Sequence, residues 1–485
     1  MSAYETSVVI PSFAGINQSG DGYNQSMRYA RVMENVNVSG GSFRPMREGY
    51  RLPQTMDKPI GTLAYLHRRF TAAEDERTVL VAISDGKVYT KLLDHDDIWV
   101  QRYSGLTEDN CDWVTYEVNE RDNGFGVTVP TLASVDVLLF SNAKDGMFCL
   151  YGDNLQVSPV KTPYKFGVLA RFNERIWGSG ITDMPDSMVY SAPYNPFDWS
   201  ANAEIPEDGG GEIMQPSWDG DSFAALRQCG SYLLAFKRNS VWRIYGTNPG
   251  EFVVQQQYGG GTVNENTVAV SYDHAYMLGA YGIMRYDGDG VTPFQQDVVK
   301  DLFGESVNHA AISAATAAMR DGVYCLALPI NGSTFCNAIL EYDTREYTFA
   351  LRTNITVDSF LNIGERLFYT SGAEPGRVFE LRDDIGLALP CVWKSGFQDL
   401  GIKSSAKSAF VLYFLVEAET AFELYITMRT EKKAKQKCVV IKPGKAMKVQ
   451  MNNQGRFFQL ELESYTSVPF CISGGIKIDM ELDPD

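Results

Sequence analysis

The sequence predicts an all-β chain: a β-propeller-like main domain of six or seven blades, followed by a C-terminal β-sandwich. Three observations predict it. Short β-runs alternate with Gly, Asp and Asn turns along most of the chain. These hairpin units recur at roughly 40 to 50 residues, the spacing of four-stranded propeller blades. Near Leu389 the runs lengthen and the charge changes sign.

The hairpins follow in order. Val79–Ile83 alternates as a strand does, Asp85-Gly86 turns, and Lys87–Leu92 returns. Val137–Phe140 passes Asp145-Gly146 into Met147–Tyr151, and Arg175–Trp177 leads to Met188–Ser191. Tyr232–Phe236 turns at Arg238–Ser240 into Val241–Tyr245. Ala275–Leu278 passes Tyr281-Gly282 into Ile283–Tyr286, and Val323–Leu328 precedes Ala338–Tyr342 and Glu346–Ala350. Arg366–Thr370 with Arg377–Leu381 makes the last pair. One amphipathic helix is expected at Asn308–Met319, where alanine is dense.

Residues 59–388 are assigned to the propeller and 389–485 to the sandwich, whose runs are Ala409–Glu417, Phe422–Met428, Val439–Ile441, Met447–Met451, Phe457–Leu462 and Ile476–Met480. The turn-rich residues 1–58 form no blade alone; they are expected to close the ring or to reach a neighbouring subunit. Residues 1–388 carry a net −19, against +2 for residues 389–485.

The formal charge of −17 speaks against a chain that grips nucleic acid as a whole, because phosphate neutralisation needs clustered Lys and Arg. The eight cysteines are scattered without a CxxC pair, so they are expected as reduced thiols, not a disulfide framework or zinc site. No basic head followed by an apolar stretch opens the chain. The longest apolar run, Phe410–Val416, is far short of the ~18 residues a membrane helix needs. Synthesis in a cytoplasm, with no membrane segment, is expected.

No motif carries catalytic chemistry. Neither Gly209-Gly210-Gly211 nor Gly259-Gly260-Gly261 is followed by the Lys-Ser/Thr of a phosphate loop, and both read as interblade turns. Asp287-Gly288-Asp289-Gly290 lacks the later ligands of a calcium loop and reads as a hairpin turn. His67, His95, His274 and His309 form no zinc-protease pair, and no Gly-x-Ser-x-Gly elbow occurs. Trp99, Trp199 and Trp242 sit at strand ends, where packing between blades uses their area, although a carbohydrate platform would use them too. Neither a cofactor nor an enzyme activity is expected.

Between Arg429 and Lys448 lie Arg429, Lys432, Lys433, Lys435, Lys437, Lys442, Lys445 and Lys448 against the single acid Glu431. Such a run suits DNA or an acidic neighbouring subunit; Arg429, Lys432, Lys433, Lys435 and Lys437 are the candidate subunit-interface residues. It equally suits a solvated hairpin whose lysines keep strand edges from pairing.

Two regions resemble a known family. Phe13-Ala14-Gly15-Ile16-Asn17, then Ala30–Asn37, then Phe43–Tyr50 look like the opening of the tail nozzle, tail hub and head-tail stabilisation proteins of short-tailed phages. Gly15, Ile16, Asn17, Asn35, Gly41, Arg44, Pro45 and Gly49 match in style, although Met46–Glu48 interrupt the family's Arg-Pro-Gly. Asn173–Trp177, Val189–Trp199, Leu233–Ile244, Tyr281–Gly290, Gly455–Glu461 and Ile476–Met480 then run in the family's order. The resemblance implies a virion protein of the tail: a hexameric ring of copies, in contact with portal or adaptor and other tail proteins. Genomic DNA would pass through its lumen without specific binding. The competing expectations are a glycan-active propeller enzyme and a receptor-binding tail protein.

Overall fold

The computed structural model describes residues 4–68, 77–95, 98–122, 128–217 and 220–483. Among them, seven four-stranded antiparallel sheets stand in a ring. The first blade is Thr62–Arg68, Arg77–Ser84, Lys87–Leu92 and Val100–Ser104; the second is Asp112–Asp122, Thr128–Asn142, Gly146–Tyr151 and Val157–Pro159. The third is Val168–Phe172, Arg175–Ser179, Ser187–Tyr190 and Gly211–Met214, and the fourth is Ala225–Cys229, Tyr232–Phe236, Val241–Tyr245 and Val253–Gln256. Ala269–Ser271, His274–Gly279, Gly282–Tyr286 and Val291–Pro293 form the fifth; Thr316–Arg320, Val323–Leu328, Cys336–Asp343 and Thr348–Val357 form the sixth. The seventh joins Ser359–Ile363, Arg366–Thr370 and Val378–Glu380 to a strand from the other end of the chain, Tyr50–Arg51, with Tyr50 opposite Glu380 and Arg51 opposite Phe379.

The middle strands of each blade are covered on both faces, so they read as continuous apolar runs: Gly146–Tyr151 is buried throughout. Innermost strands face the axis and carry polar residues such as the exposed Arg171 and Gln228, while outermost strands are short, as in the largely exposed Val253–Gln256. Separate apolar clusters fill the gaps between neighbouring blades. Val79 and Val81 pack with Phe140 and Leu150, and Leu80 and Ala82 pack with Leu361 and Phe368 across the closure. Side chains tie the innermost strands together: Arg227 of the fourth blade reaches Asp112 of the second at 3.4 Å, and the Leu169 N–H of the third donates to the same carboxylate at 3.1 Å.

The expected helix at Asn308–Met319 is not formed. His309–Ala314 makes a 3-10 turn, capped by the Asn308 side chain on the Ala310 N–H, and Thr316–Arg320 is the innermost strand of the sixth blade. Alanine's helix propensity, a few tenths of a kcal/mol per residue, is outweighed by pairing with Val323–Leu328.

The sandwich is not wholly C-terminal. One sheet runs Tyr4–Ile10, Phe470–Asp483, Ala406–Ala418, Ala446–Gly455; the other runs Ala30–Glu34, Cys391–Ser395, Phe458–Ser464, Phe422–Thr430, Ala434–Ile441. Each therefore takes a strand from the N-terminal segment. The second sheet also continues into the sixth blade through the parallel pair Glu34 and Leu351. One apolar core runs from the gap between the fifth and sixth blades into the sandwich. Phe13 is buried in it, edge-on to Phe43 at 5.6 Å and to Trp393 at 5.3 Å. The changes of texture near residues 58 and 388 thus mark changes of sheet, not breaks in the core.

All eight cysteines are free thiols. No helix among the described residues is long and apolar enough to cross a membrane.

Phe13→Ala is expected to cost about 3–5 kcal/mol. Denaturant unfolding followed by both near- and far-ultraviolet circular dichroism should show one weakened transition. Two separate transitions in the wild type would contradict a shared core.

Candidate functional site: a strap, a clamped loop and a basic edge

The residues singled out at the N-terminus form a strap between propeller and sandwich. A Cβ on Gly15 would stand 2.4 Å from the Phe349 carbonyl oxygen, which accepts the Ile16 N–H at 2.8 Å. Ile16 is buried, and the Asn17 N–H donates to the Ala30 carbonyl at 2.9 Å. Asn17 Oδ1 accepts from the Ser19 N–H and hydroxyl. Asn35 is fully buried, with φ at +58°, a region asparagine tolerates better than most residues. Its Nδ2 donates to Thr353 Oγ1 (3.0 Å) and the Pro390 carbonyl (2.7 Å), and its Oδ1 accepts the Thr353 N–H (2.7 Å). Arg44 and Pro45 pair with Asn37 and Val36, leaving the Arg44 side chain exposed. Gly49 (φ +113°) presses against the Glu380 carbonyl just before the closing strand, where a Cβ would approach to 2.3 Å.

Beside the strap, the buried Arg352 guanidinium donates to Glu341 and Asp383, each at 2.8 Å, and to the Arg47 carbonyl. Burial would raise the Asp383 carboxyl, but the Arg352 charge outweighs it and holds the group below the usual carboxylate range.

Two of the middle motifs, Asn173–Trp177 and Val189–Trp199, build a loop in the third blade, residues 191–210, while Leu233–Ile244 lies in the fourth blade and Tyr281–Gly290 in the fifth. Arg175 is buried; it donates to the Ser191 and Gly209 carbonyls, at 2.7 and 2.6 Å, and to that of Glu207, clamping both ends. Trp199 turns inward onto Phe166 at 4.6 Å, and Trp177 packs on Tyr190 at 4.9 Å. Gly209–Gly211 lies inside this blade and not between blades, with Gly210 against the Trp199 backbone. The loop's outer side, Ala201–Asp208, is exposed. Tyr194 is 73% exposed at a left-handed φ of +60°, its N–H tied to the Glu174 carbonyl at 2.8 Å. Residues 176–226 contain nine Asp and Glu and no Lys, Arg or His.

The basic run carries the opposite charge. Arg429, at the end of an inner strand, pairs with Glu461 at 3.4 Å, and Lys432 and Lys433 form the turn. Lys435 and Lys437 lie on Ala434–Ile441, the last strand of its sheet, opposite the buried Met428 and Ile426. Lysines on the inward register of an edge strand oppose pairing with another chain's strand. Lys437 leans over the other sheet's edge, its Nζ 3.5 Å from the Gln450 carbonyl, and Lys448 lies over the Tyr413 ring. The two edges with their turns form a basic lip. Burial opposes the ionisation of Glu431, but hydrogen bonds from the Arg456 and Phe457 N–H groups hold its carboxyl below the usual range. Burial, and then the neighbouring Glu461, push the Glu463 carboxyl up.

Asp287–Gly290 is the turn between the last two strands of the fifth blade, and Gly259–Gly261 lies in the connection between the fourth and fifth. Trp99 and Trp242 are half-buried against interblade cores. Among the described residues no group of three or more His, Cys, Asp or Glu is placed to hold a metal. A cleft of 210 Å³ between the seventh and first blades is lined partly by Lys91, Asp94, His95 and Arg366. It is smaller than the ~300–1,000 Å³ typical of small-molecule sites. Arg366 there is committed to Glu380 and Asp94.

The strap residues were legible in the sequence as a motif. The Arg175 clamp and the acidic loop were not singled out, although the absence of any base between Arg175 and Arg227 was the available signal.

No protein-family model matches the chain, and no curated protein matches it. Among solved structures, the Pan2 WD40 domain of Neurospora crassa is similar at a TM-score of 0.39 and 10% identity, over 68% of this chain and 91% of that one. BamB from Moraxella catarrhalis is similar at 0.35 and 10%, over 72% and 99%.

Asn35→Ala strands the buried Thr353 N–H and Pro390 carbonyl, at roughly 1–3 kcal/mol for each unpaired group. Hydrogen exchange should show faster opening at both Thr353 and Tyr50–Arg51; unchanged protection there would contradict the strap.

Proposed function

We propose that the chain is a structural subunit of a tailed-phage virion: a tail hub or nozzle ring component forming part of the conduit for DNA ejection. It is made in the host cytoplasm and resides in the tail. Its partners are other copies of itself, in a hexameric ring, and portal, adaptor or other tail proteins. The observation that carries the reading is where the family-like residues fall. Gly15, Asn35 and Gly49 sit at three successive points of one strap, each at a position whose backbone or buried hydrogen bonds admit few alternatives. Two of the middle motifs, Asn173–Trp177 and Val189–Trp199, fall together on the Arg175 clamp and the loop it holds.

A scaffold of seven blades sharing a core with a sandwich gives the stiffness a ring subunit needs. In this reading the lumen for DNA lies between subunits. With a charge of −17 the walls of that lumen repel phosphate more than they hold it, which suits a duplex that must slide.

A second reading, a receptor-binding protein of the tail, is favoured by exposed aromatics. Tyr272, 90% exposed, lies in the turn joining the first two strands of the fifth blade, and Tyr347, 70% exposed, in that joining the last two of the sixth. In up-and-down sheets these turns leave at the same end, so both rings stand on one face.

Light scattering with negative-stain microscopy separates the readings. The conduit reading expects rings with an axial pore, from the chain alone or with its tail partners. A monomer that ignores those partners and binds glycans through Tyr272 and Tyr347 would replace it.

A further inference from the structure

We propose that the acidic loop of the third blade, residues 191–210, docks on the basic lip at residues 429–448 of a second copy of the chain. This contact is the head-to-tail interface of the ring, and the inference rests on the ring reading above.

The loop itself carries four acids, Asp198, Glu204, Glu207 and Asp208, and no base. Residues 176–226 carry nine acids and no base; residues 429–448 carry eight bases and one acid. Within the chain Asp186 pairs with Lys237 and Arg429 with Glu461. Among the described residues no ion pair engages Asp198, Glu204, Glu207 or Asp208, nor Lys432, Lys433, Lys435, Lys442 or Lys445. Both are exposed on built supports: the loop on Arg175, Phe197 and Trp199, the lip on two edge strands.

Their places in the fold set the kind of contact. The sandwich grows from the sixth blade, and the third blade is three positions from it one way round the ring and four the other. The two patches therefore sit on opposite sides of one propeller. A patch that binds a different patch on the next copy makes a heterologous interface, which generates a closed ring or a filament, not an isologous dimer. Each surface also offers apolar contact. Tyr194 and Ile205 (50% exposed) project from the loop, and Val440 (53% exposed) from the lip. Tyrosine anchors ringed by complementary charge are a common anatomy of specific interfaces. Tyr194 is held in a left-handed backbone conformation that a residue with a Cβ rarely adopts. DNA is the less fitting occupant of the lip, because the chain around it carries the same sign as phosphate.

The test is charge exchange. One variant reverses the loop (Glu204→Lys, Glu207→Lys, Asp208→Lys), a second reverses the lip (Lys432→Glu, Lys433→Glu, Lys435→Glu, Lys437→Glu), and a third combines both. Self-association is measured by sedimentation velocity from low to high salt, with melting temperatures confirming the fold. Each single reversal should weaken association at least about tenfold, and the combined variant should recover it, as complementary steering requires. The two single variants, mixed, should also associate. Equal association of all variants, or a combined variant no better than its parents, overturns this assignment of surfaces and leaves the ring reading standing. A wild-type chain that never self-associates, alone or with tail partners, overturns the ring as well. Lip reversal that abolishes retention of a DNA duplex but leaves self-association intact assigns the lip to nucleic acid and overturns the contact.

Discussion

A propeller is a string of sheets until its ends are joined, and here the joining falls to the N-terminal strap. The strap supplies the fourth strand of the last blade, one strand to each sandwich sheet, and Phe13 and Phe43 to the shared core. Closure alone would need only Tyr50–Arg51, a two-residue pairing worth little by itself. What makes it durable is everything upstream. Gly15 lies against Phe349, Asn35 is locked to Thr353 and Pro390, and Arg352 is neutralised by Glu341 and Asp383 while gripping the Arg47 carbonyl. An unpaired guanidinium at that depth would be strongly destabilising, so the cluster forms as a unit. The contacts that hold the closure join residues near 351–393 to residues 13–49, far apart in sequence.

The same constraint gives the molecule two unlike ends. Because the strap fuses the sandwich to the sixth blade, the sandwich cannot swing as a separate domain would, and its basic edge keeps a fixed place relative to the third-blade loop. A rigid body with opposite charges at opposite sides is suited to repetition around an axis. Lysines on the inward register of an edge strand serve such a body twice. They deter indiscriminate strand pairing, and they offer charge to a partner that brings carboxylates.

Much of the propeller was legible because its middle strands are buried on both faces. Val79–Ile83, Met147–Tyr151 and Tyr232–Phe236 show uninterrupted apolar or β-branched runs between turn residues. The innermost strands were not recognised. Thr316–Arg320 is alanine-rich beside a capped turn, and local composition there favours a helix until the neighbouring strand is present. The two N-terminal strands of the sandwich were equally hidden, since Tyr4–Ile10 and Ala30–Glu34 have partners more than 350 residues away, and no local pattern encodes such a register. At the candidate surfaces, the lysines announced themselves as a run. The acidic loop did not, because its signal is a missing residue type over 51 positions and its organiser, Arg175, looks like any strand arginine.

Electron cryomicroscopy of purified particles that encode this chain tests its proposed place as a ring-forming part of a virion tail. Tail density should then contain repeated seven-bladed units with an attached sandwich, arranged around the DNA channel. Particles whose tails are fully accounted for by other chains, with this one absent from their protein content, would contradict it.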